Sequence, residues 1–424
     1  MKEYYTLSEV ADLLGKTKET LRNWDRSGKL SAVREPMSNY RVYKKEQLKI
    51  FDELSFLFNP SEKGNEMKPE RKYSVLELFA GAGGLAIGLE KAGLNCIGLN
   101  EIDHWAAETL RKNRPNWRVI EEDIRNVGFE EYKGKVDVVT GGFPCQAFSY
   151  AGKKLGLSDA RGTLFYEFAR VVQETQPLIC VGENVKGLLN HDGGRTLEGM
   201  ISILDEIGYK PLDPKVLKAI FYKVPQKRER LILIGIRKDI NVDFSFPKPH
   251  KKIYNLADAL KKGELFDSDV PESKGPTYPK RKKEILDMVP PGGYWRDLPL
   301  DIQQEYMQKS FYLGGGKTGM ARRISWDEPS LTLTCSPSQK QTERCHPDET
   351  RPFTVREYAR IQTFPDEWEF AGSVPSQYRQ IGNAVPVNLA RELGYSIVGF
   401  LNQTYDAYGL TEKILDPIQL TIPN

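Results

Sequence analysis

The stretch from Val75 to Gly93 does most to limit what this chain can fold into. Val75-Leu76-Glu77-Leu78-Phe79 reads as a buried strand. Ala80-Gly81-Ala82-Gly83-Gly84 reads as a tight turn, and Leu85 to Ala92 as a helix that Gly93 ends. A strand that feeds a helix through so short a turn builds βαβ units, hence a parallel sheet with helices on its faces. The glycines let the backbone approach a ligand, and the helix N-terminus offers it N–H groups. Taken alone, this loop could equally hold a dinucleotide.

The next strand ends narrow the choice. A second strand, Cys96 to Asn100, ends at Glu101, about 20 residues on, where a carboxylate can accept both hydroxyls of a ribose. Ile102 follows it. A third strand, Trp117 to Glu121, ends at Glu122-Asp123-Ile124. There Asp123 can accept from an adenine amino group while Ile124 packs on the ring. This spacing suits an adenosine with a small charged tail rather than a pyrophosphate. It points to S-adenosylmethionine as the cofactor.

A fourth strand, Val136 to Thr140, runs into Gly141-Gly142-Phe143-Pro144-Cys145-Gln146. Pro144 fixes its own φ and biases Phe143 toward an extended conformation. A stiff loop at a strand's C-terminal end then presents one thiol, where open α/β sheets bind ligands. The competing reading of Cys145 is a small buried hydrophobe. Asp159 to Phe165 begins a helix running toward Glu174. A fifth strand, Leu178 to Gly182, ends at Glu183-Asn184-Val185, which puts a carboxylate in the same sheet as Cys145. The alternative for Glu183 is a surface carboxylate at a loop start. Arg228 and Arg230 precede the strand Leu231 to Ile236, alternate along the backbone and so point the same way. Two guanidiniums facing one cleft suggest phosphate or carbonyl recognition.

The first 50 residues read differently. Thr6-Leu7-Ser8-Glu9 has the form of a capping box, and Val10, Leu13 and Leu14 follow at helical spacing until Gly15. A second helix runs from Thr17 to Arg26 with Leu21 and Trp24 inward. Arg34 to Tyr43 forms a short strand pair turning at Ser38-Asn39. This stretch carries 11 basic and 7 acidic side chains, an excess of four, while the whole chain is nearly balanced at +3. Any nucleic-acid surface must therefore come from local clustering. Helix, turn, basic helix and wing resemble the winged helix-turn-helix of MerR-type and excisionase-type DNA binders, whose second helix enters the major groove. That places Arg22 and Arg26 toward DNA. A protein-docking module with a solvated basic face is the alternative.

The 424 residues divide into a 1–58 module, a polar 59–72 linker, a 73–246 catalytic and cofactor domain, an irregular 247–350 segment and a 351–424 return to the catalytic domain. No run is long and apolar enough to span a bilayer. The five scattered cysteines form no CxxC pair and suit a reducing cytoplasm. Cys345-His346 makes a poor zinc site, and no metal is expected.

Taken together, Phe79-Ala-Gly-Ala-Gly-Gly84, Glu101, Asp123-Ile124, Gly142-Phe-Pro-Cys-Gln146, Arg161-Gly162, Glu183-Asn-Val185, Gln226-x-Arg-x-Arg230, Arg356-Glu357-x-Ala-Arg-Ile-Gln362 and Gln380-Ile-Gly-Asn-Ala-Val-Pro386 resemble the ordered motifs of bacterial DNA (cytosine-5) methyltransferases. The resemblance covers residues 73 to about 402. Lys218-Ala219 stands where that family often has Asn-Ala. The resemblance implies a Rossmann-like S-adenosylmethionine-dependent α/β sheet with an inserted target-recognition domain at 247–350. It implies Cys145 as nucleophile, Glu183, Arg228 and Arg230 as catalytic partners, and a flipped cytosine. Around the cofactor it places Phe79, Ala80, Gly81, Gly83, Gly84, Leu85, Glu101, Ile102, Asp123, Ile124, Pro144, Leu164, Asn383 and Val385. Toward double-stranded DNA it places Gln146, Ser149, Arg322, Arg323, Gln339 and Gln341, with Thr332, Thr334, Ser336, Ser338 and Lys340 nearby. It further implies pairing with a restriction endonuclease and catalysis as a monomer, with the N-terminal module as the candidate dimer contact. An RNA (tRNA) cytosine methyltransferase and a transcriptional regulator with a methylase core are the alternatives. About a hundred inserted residues favour DNA.

Overall fold

The computed structural model describes residues 3–35, 39–58, 64–144, 163–314 and 317–410. It divides into two compact units, Met1–Gly64 with Lys248–Lys251, and Asn65–Pro247 with Lys252–Asn424.

The first unit opens with β1 (Tyr4–Thr6), α1 (Leu7–Leu14) and α2 (Lys18–Arg26), followed by β2 (Val33–Arg34) and β3 (Arg41–Lys44). Thr6 and Glu9 form the expected reciprocal cap on α1, and Gly15 ends it at φ +62°. Thr17 caps α2. The sheet has the order β1-β3-β2, so the wing has three strands where the sequence suggested two. β1 is only three residues long, and its partner lies some 40 residues away in sequence. Leu21 is fully buried, and Trp24 stacks on Phe51 with centroids 5.7 Å apart.

The second unit begins with β4 (Ser74–Leu78), α3 (Gly84–Lys91), β5 (Asn95–Glu101), α4 (His104–Asn113), β6 (Val119–Glu121), β7 (Val138–Gly141), α5 (Leu164–Thr175), β8 (Ile179–Val185), α6 (Arg195–Glu206), β9 (Tyr209–Pro211), β10 (Lys215–Lys218), β11 (Gln226–Lys227) and β12 (Glu229–Arg237). The main sheet runs β10-β12-β8-β7-β4-β5-β6, with β9 also on β12. β8, β7, β4, β5 and β6 are parallel, and β12 is antiparallel to β8. The registers Leu78↔Gly141 and Gly141↔Gly182 align the strand ends along one edge. Loops leaving that edge therefore meet. Apolar residues from β4, β7, α5, α6 and β12 fill the core on one face.

The remaining elements are α7 (Leu256–Leu260), α8 (Lys280–Asp287), α9 (Leu300–Met307), β13 (Ser330–Leu331), α10 (Val355–Ile361), α11 (Val374–Asn383) and α12 (Val387–Tyr408). Residues between 278 and 345 have an apolar core of their own around Leu286, Trp295, Tyr306 and Cys345. They are nonetheless joined to the sheet unit, because β13 pairs in parallel with β11. Residues 65–72, read as linker, instead dock on α12. The Asn402 carboxamide accepts from the Glu70 N–H at 3.2 Å and the Tyr73 hydroxyl at 2.6 Å, and donates to the Lys68 carbonyl at 3.0 Å. A polar segment can be ordered when buried side chains satisfy its backbone.

Candidate active site

The strand ends surround a cavity of about 820 Å3. Its wall includes Phe79, Ala80, Gly81, Gly84, Leu85, Glu101, Ile102, Asp123, Ile124, Pro144, Leu164, Glu183, Arg228, Arg230, Asn383 and Val385. These come from chain segments more than 300 residues apart. Gly83 lies outside the lining. It caps α3 at φ +85° and packs against Leu110 and Trp368. Cys145, Gln146, Ser149 and Arg161-Gly162 fall outside the described residues. Pro144, the residue before Cys145 in the sequence, lines the cavity.

Local chemistry sets the cofactor half. Phe79 takes φ +55°, a left-handed conformation that costs a side-chain-bearing residue on the order of 1 kcal/mol or more and clusters at functional sites. Gly81 also has positive φ at +55°, where the lack of a Cβ removes that cost. Each oxygen of Glu101 accepts one backbone N–H at 2.7 Å, from Gly81 and from Asp103. A carboxylate so held still has lone pairs for two hydroxyls. Burial, opposed by those bonds, pushes its pKa up. Ile102 lines the same cavity yet is 66% exposed, an apolar surface suited to a flat ring. Asp123 is paired with Arg125, Oδ2 to Nη2 at 2.5 Å, and its side-chain hydrogen bonds pull its pKa down to about 2. An adenine amino group would share that carboxylate with Arg125. Helix N-terminus, hydroxyl acceptor, apolar ring contact and carboxylate together fit S-adenosylmethionine.

The other half of the cavity is cationic and acidic. Glu183 lies within β8, whose antiparallel partner extends it past Gly182 through the register Ile232↔Glu183. Its Oε1 is 2.5 Å from Nε of Arg230, with side chains 12% and 9% exposed. Burial drives the Glu183 pKa up, against the pull of Arg230 and Arg228. Arg228 sits in the break between β11 and β12. Its Nη1 donates to the Leu333 carbonyl at 3.1 Å and its Nη2 to the Gly382 carbonyl at 2.9 Å. It therefore ties two distant segments to the cavity wall. Asn184 Nδ2 donates to the Phe143 carbonyl at 2.8 Å, and the Phe143 ring packs on Phe165 and Phe168. Both contacts fix the loop that leads to Cys145.

Glu77, Asn100, Thr334, Cys335 and Arg379 also line the cavity, and sequence reasoning did not assign them to the cofactor or to catalysis. Glu77 had a signal, a carboxylate inside an apolar strand. Cys335 had none, since its position depends on contacts far along the chain.

The DNA-facing residues divide. Arg322 and Arg323 were expected to reach DNA, and the structure overturns this. Both are buried, and Arg322 donates to the Gly292 carbonyl at 2.6 Å and to Glu328 at 2.8 Å. Arg323 donates to the Leu286, Val289 and His346 carbonyls at 2.7, 2.7 and 3.0 Å. The Leu286 carbonyl in the last turn of α8 already accepts the Val289 N–H at 3.1 Å and takes the guanidinium as a further donor, while the Val289 and His346 carbonyls beyond the helix are satisfied by it. Gln339, Lys340 and Gln341 are exposed on the same segment. Thr332 and Thr334 line the cavity, while the Ser338 carbonyl accepts from Lys282. In the first unit, Arg22 and Arg26 both pair with Glu19, at 3.0 and 2.7 Å, on the exposed face of α2. His346 Nδ1 accepts the Asp348 and Glu349 N–H groups, which leaves that nitrogen engaged with backbone.

Comparison with known proteins agrees with this geometry. Residues 73–399 match the family model for C-5 cytosine-specific DNA methylase, and residues 6–43 that for MerR family regulatory protein. The chain is 64% identical over 405 residues to Type II methyltransferase M.Eco47II of Escherichia coli, covering 95% of this chain and 97% of that protein. It is 59% identical over 402 residues to M.PspPI of Psychrobacter sp. (strain TA137), covering 94% and 97%. Among solved structures, a Spodoptera frugiperda DNMT2 variant shares the fold, with a TM-score of 0.55 at 17% identity over 77% of this chain and 99% of that one. C5 DNA methyltransferases draw their methyl group from S-adenosyl-L-methionine, which the cavity fits. With a motif-bearing cavity and a family match spanning most of its length, the chain belongs to the C-5 cytosine-specific DNA methylases.

Proposed function

We propose that the chain marks cytosines in a short duplex site through a covalent adduct between Cys145 and ring carbon C6. The observation that carries this reading is the buried Glu183–Arg230 pair on the wall of the cofactor cavity, beside Pro144. Cytosine C5 is a poor nucleophile. A thiolate adding at C6 places electron density on C5 and splits one hard step into easier ones. Glu183, whose pKa burial raises against the pull of Arg230 and Arg228, protonates or hydrogen-bonds N3 of the base and spreads the developing charge. Arg230, held by Glu183, offers its guanidinium to the base's O2, and Arg228 fixes the wall behind it. Bound S-adenosylmethionine supplies the electrophilic methyl. A base, a role open to water, then takes the C5 proton and Cys145 departs. The base must leave the duplex stack to enter the cavity.

The relatives named as Type II methyltransferases support a role as the modification half of a restriction-modification pair. A cytoplasmic monomer is part of the same proposal. Among the described residues no helix is long and apolar enough to cross a membrane. The match at residues 6–43 supports a second reading for the first unit, binding upstream of its own operon. A labelled-methyl assay on duplex DNA and on tRNA tests the substrate. Label in DNA is expected, and label in tRNA alone overturns it.

A further inference from the structure

Cys335 is the exposed thiol among the described cysteines, since Cys96, Cys180 and Cys345 are buried. It lines the reaction cavity, and its Sγ lies 3.1 Å from Oδ1 of Asn383. The segment that carries it is rigidly held against the Asn383 loop. A Cβ at Gly382 would lie 2.4 Å from the Thr334 carbonyl oxygen and 2.8 Å from the Cys335 nitrogen, so the two backbones are in full contact. Arg228 clamps the carbonyls of Leu333 and Gly382 from one side. From the other, the Tyr358 hydroxyl donates to the Thr334 carbonyl at 3.0 Å. The sulfur therefore has a fixed position relative to the Asn383 carboxamide.

A thiol is a donor, and an amide oxygen is its better partner, so this contact selects between the two flips of the carboxamide. With Oδ1 toward sulfur, the amide NH2 points elsewhere, and no protein group among the described residues accepts from it. We propose that Cys335 is a positioning residue for the cofactor. Its S–H holds the Asn383 amide so that the NH2 group is free to donate to the carboxylate of the cofactor's amino-acid tail. This rests on Asn383 being a cofactor residue. It also means that the segment running on to the exposed Gln339–Gln341 forms part of the cofactor wall.

The test is calorimetric titration of S-adenosylhomocysteine into the full chain and into Cys335→Ala, Cys335→Ser, Asn383→Ala and the Cys335→Ala/Asn383→Ala double variant. Cys335→Ala should weaken binding about three- to tenfold, the range of one modest hydrogen bond. Cys335→Ser, which keeps a donor, should recover most of that loss. In the Asn383→Ala background, Cys335→Ala should add nothing, because its effect runs through the amide. Duplex DNA affinity and Tm should not move. The proposal is overturned if Cys335→Ala binds as the parent does, if Ser is as weak as Ala, or if the loss persists in full without Asn383. An unchanged affinity in Asn383→Ala would remove the cofactor reading of Asn383 and this proposal with it. A weakened Asn383→Ala beside an unaffected Cys335→Ala would overturn the proposal alone.

Discussion

At the scale of single residues, Glu77 shows how the cofactor loop is underpinned. It is 2% exposed in β4, two residues before Phe79. Burial drives its carboxyl well above the ordinary 4.5, although the Ala86 N–H of α3 partly offsets this. Its Oε2 has no hydrogen-bond partner among the described residues. Above pH 4.5 the unfolded chain has released this proton while the native chain retains it. Native protein then binds more protons, so this group makes stability fall as pH rises from 4.5 toward the native pKa. Glu77→Gln removes the titration and keeps the shape. Its Tm relative to the parent should therefore rise between about pH 5 and about pH 8 in differential scanning fluorimetry. A difference that stays flat or falls would contradict the protonated assignment. Glu183 titrates in the same sense but cancels in the comparison, while the charge of Glu101 adds to the rise at Glu77. Much of this residue-level chemistry was legible. Glu101, Asp123 and Glu183 stand at or near ends of apolar runs, where the sheet edge is functional. The Arg125 partner of Asp123 and the backbone bonds of Glu101 were not, because they depend on loop geometry.

At the scale of elements, local signals were readable and distant ones were not. The capping boxes Thr6/Glu9 and Thr354/Glu357 join residues three apart, so the sequence displays both halves. Arg322 and Arg323 looked like DNA readers because their charge is visible and the carbonyls that accept from them are not. Those of Arg323 lie 23 to 37 residues away. The correction has a measurable consequence. Arg323→Met should lower stability by about 2–4 kcal/mol in urea unfolding, since it leaves the Val289 and His346 carbonyls without their guanidinium donor. Gln341→Ala should leave the urea midpoint unchanged and weaken affinity for the cognate duplex. A destabilised Gln341→Ala, or an unaffected Arg323→Met, would reverse the assignment. β8 outran its expected end for a similar reason, since its last residues are held by an antiparallel partner near position 230.

At the scale of the whole molecule, the sheet unit starts at Asn65, and its first residues are bound to α12 through Asn402. Polar composition suggested a linker there, and composition does not report a buried carboxamide on a helix more than 300 residues later. Removing residues 1–58 leaves that attachment in place. The truncated chain should methylate at close to the parent rate but fail to retard its own upstream DNA in gel shifts. Loss of catalysis would instead make the first unit part of target reading. The chemistry itself is tested most directly by incubating the full chain with S-adenosylmethionine and duplex DNA carrying 5-fluorocytosine, then sequencing the cross-linked peptide by mass spectrometry. The fluorine blocks the proton loss that frees the enzyme, so a stable adduct on Cys145 is expected, and none in Cys145→Ser. An adduct on another residue, or one that survives in Cys145→Ser, would contradict the account.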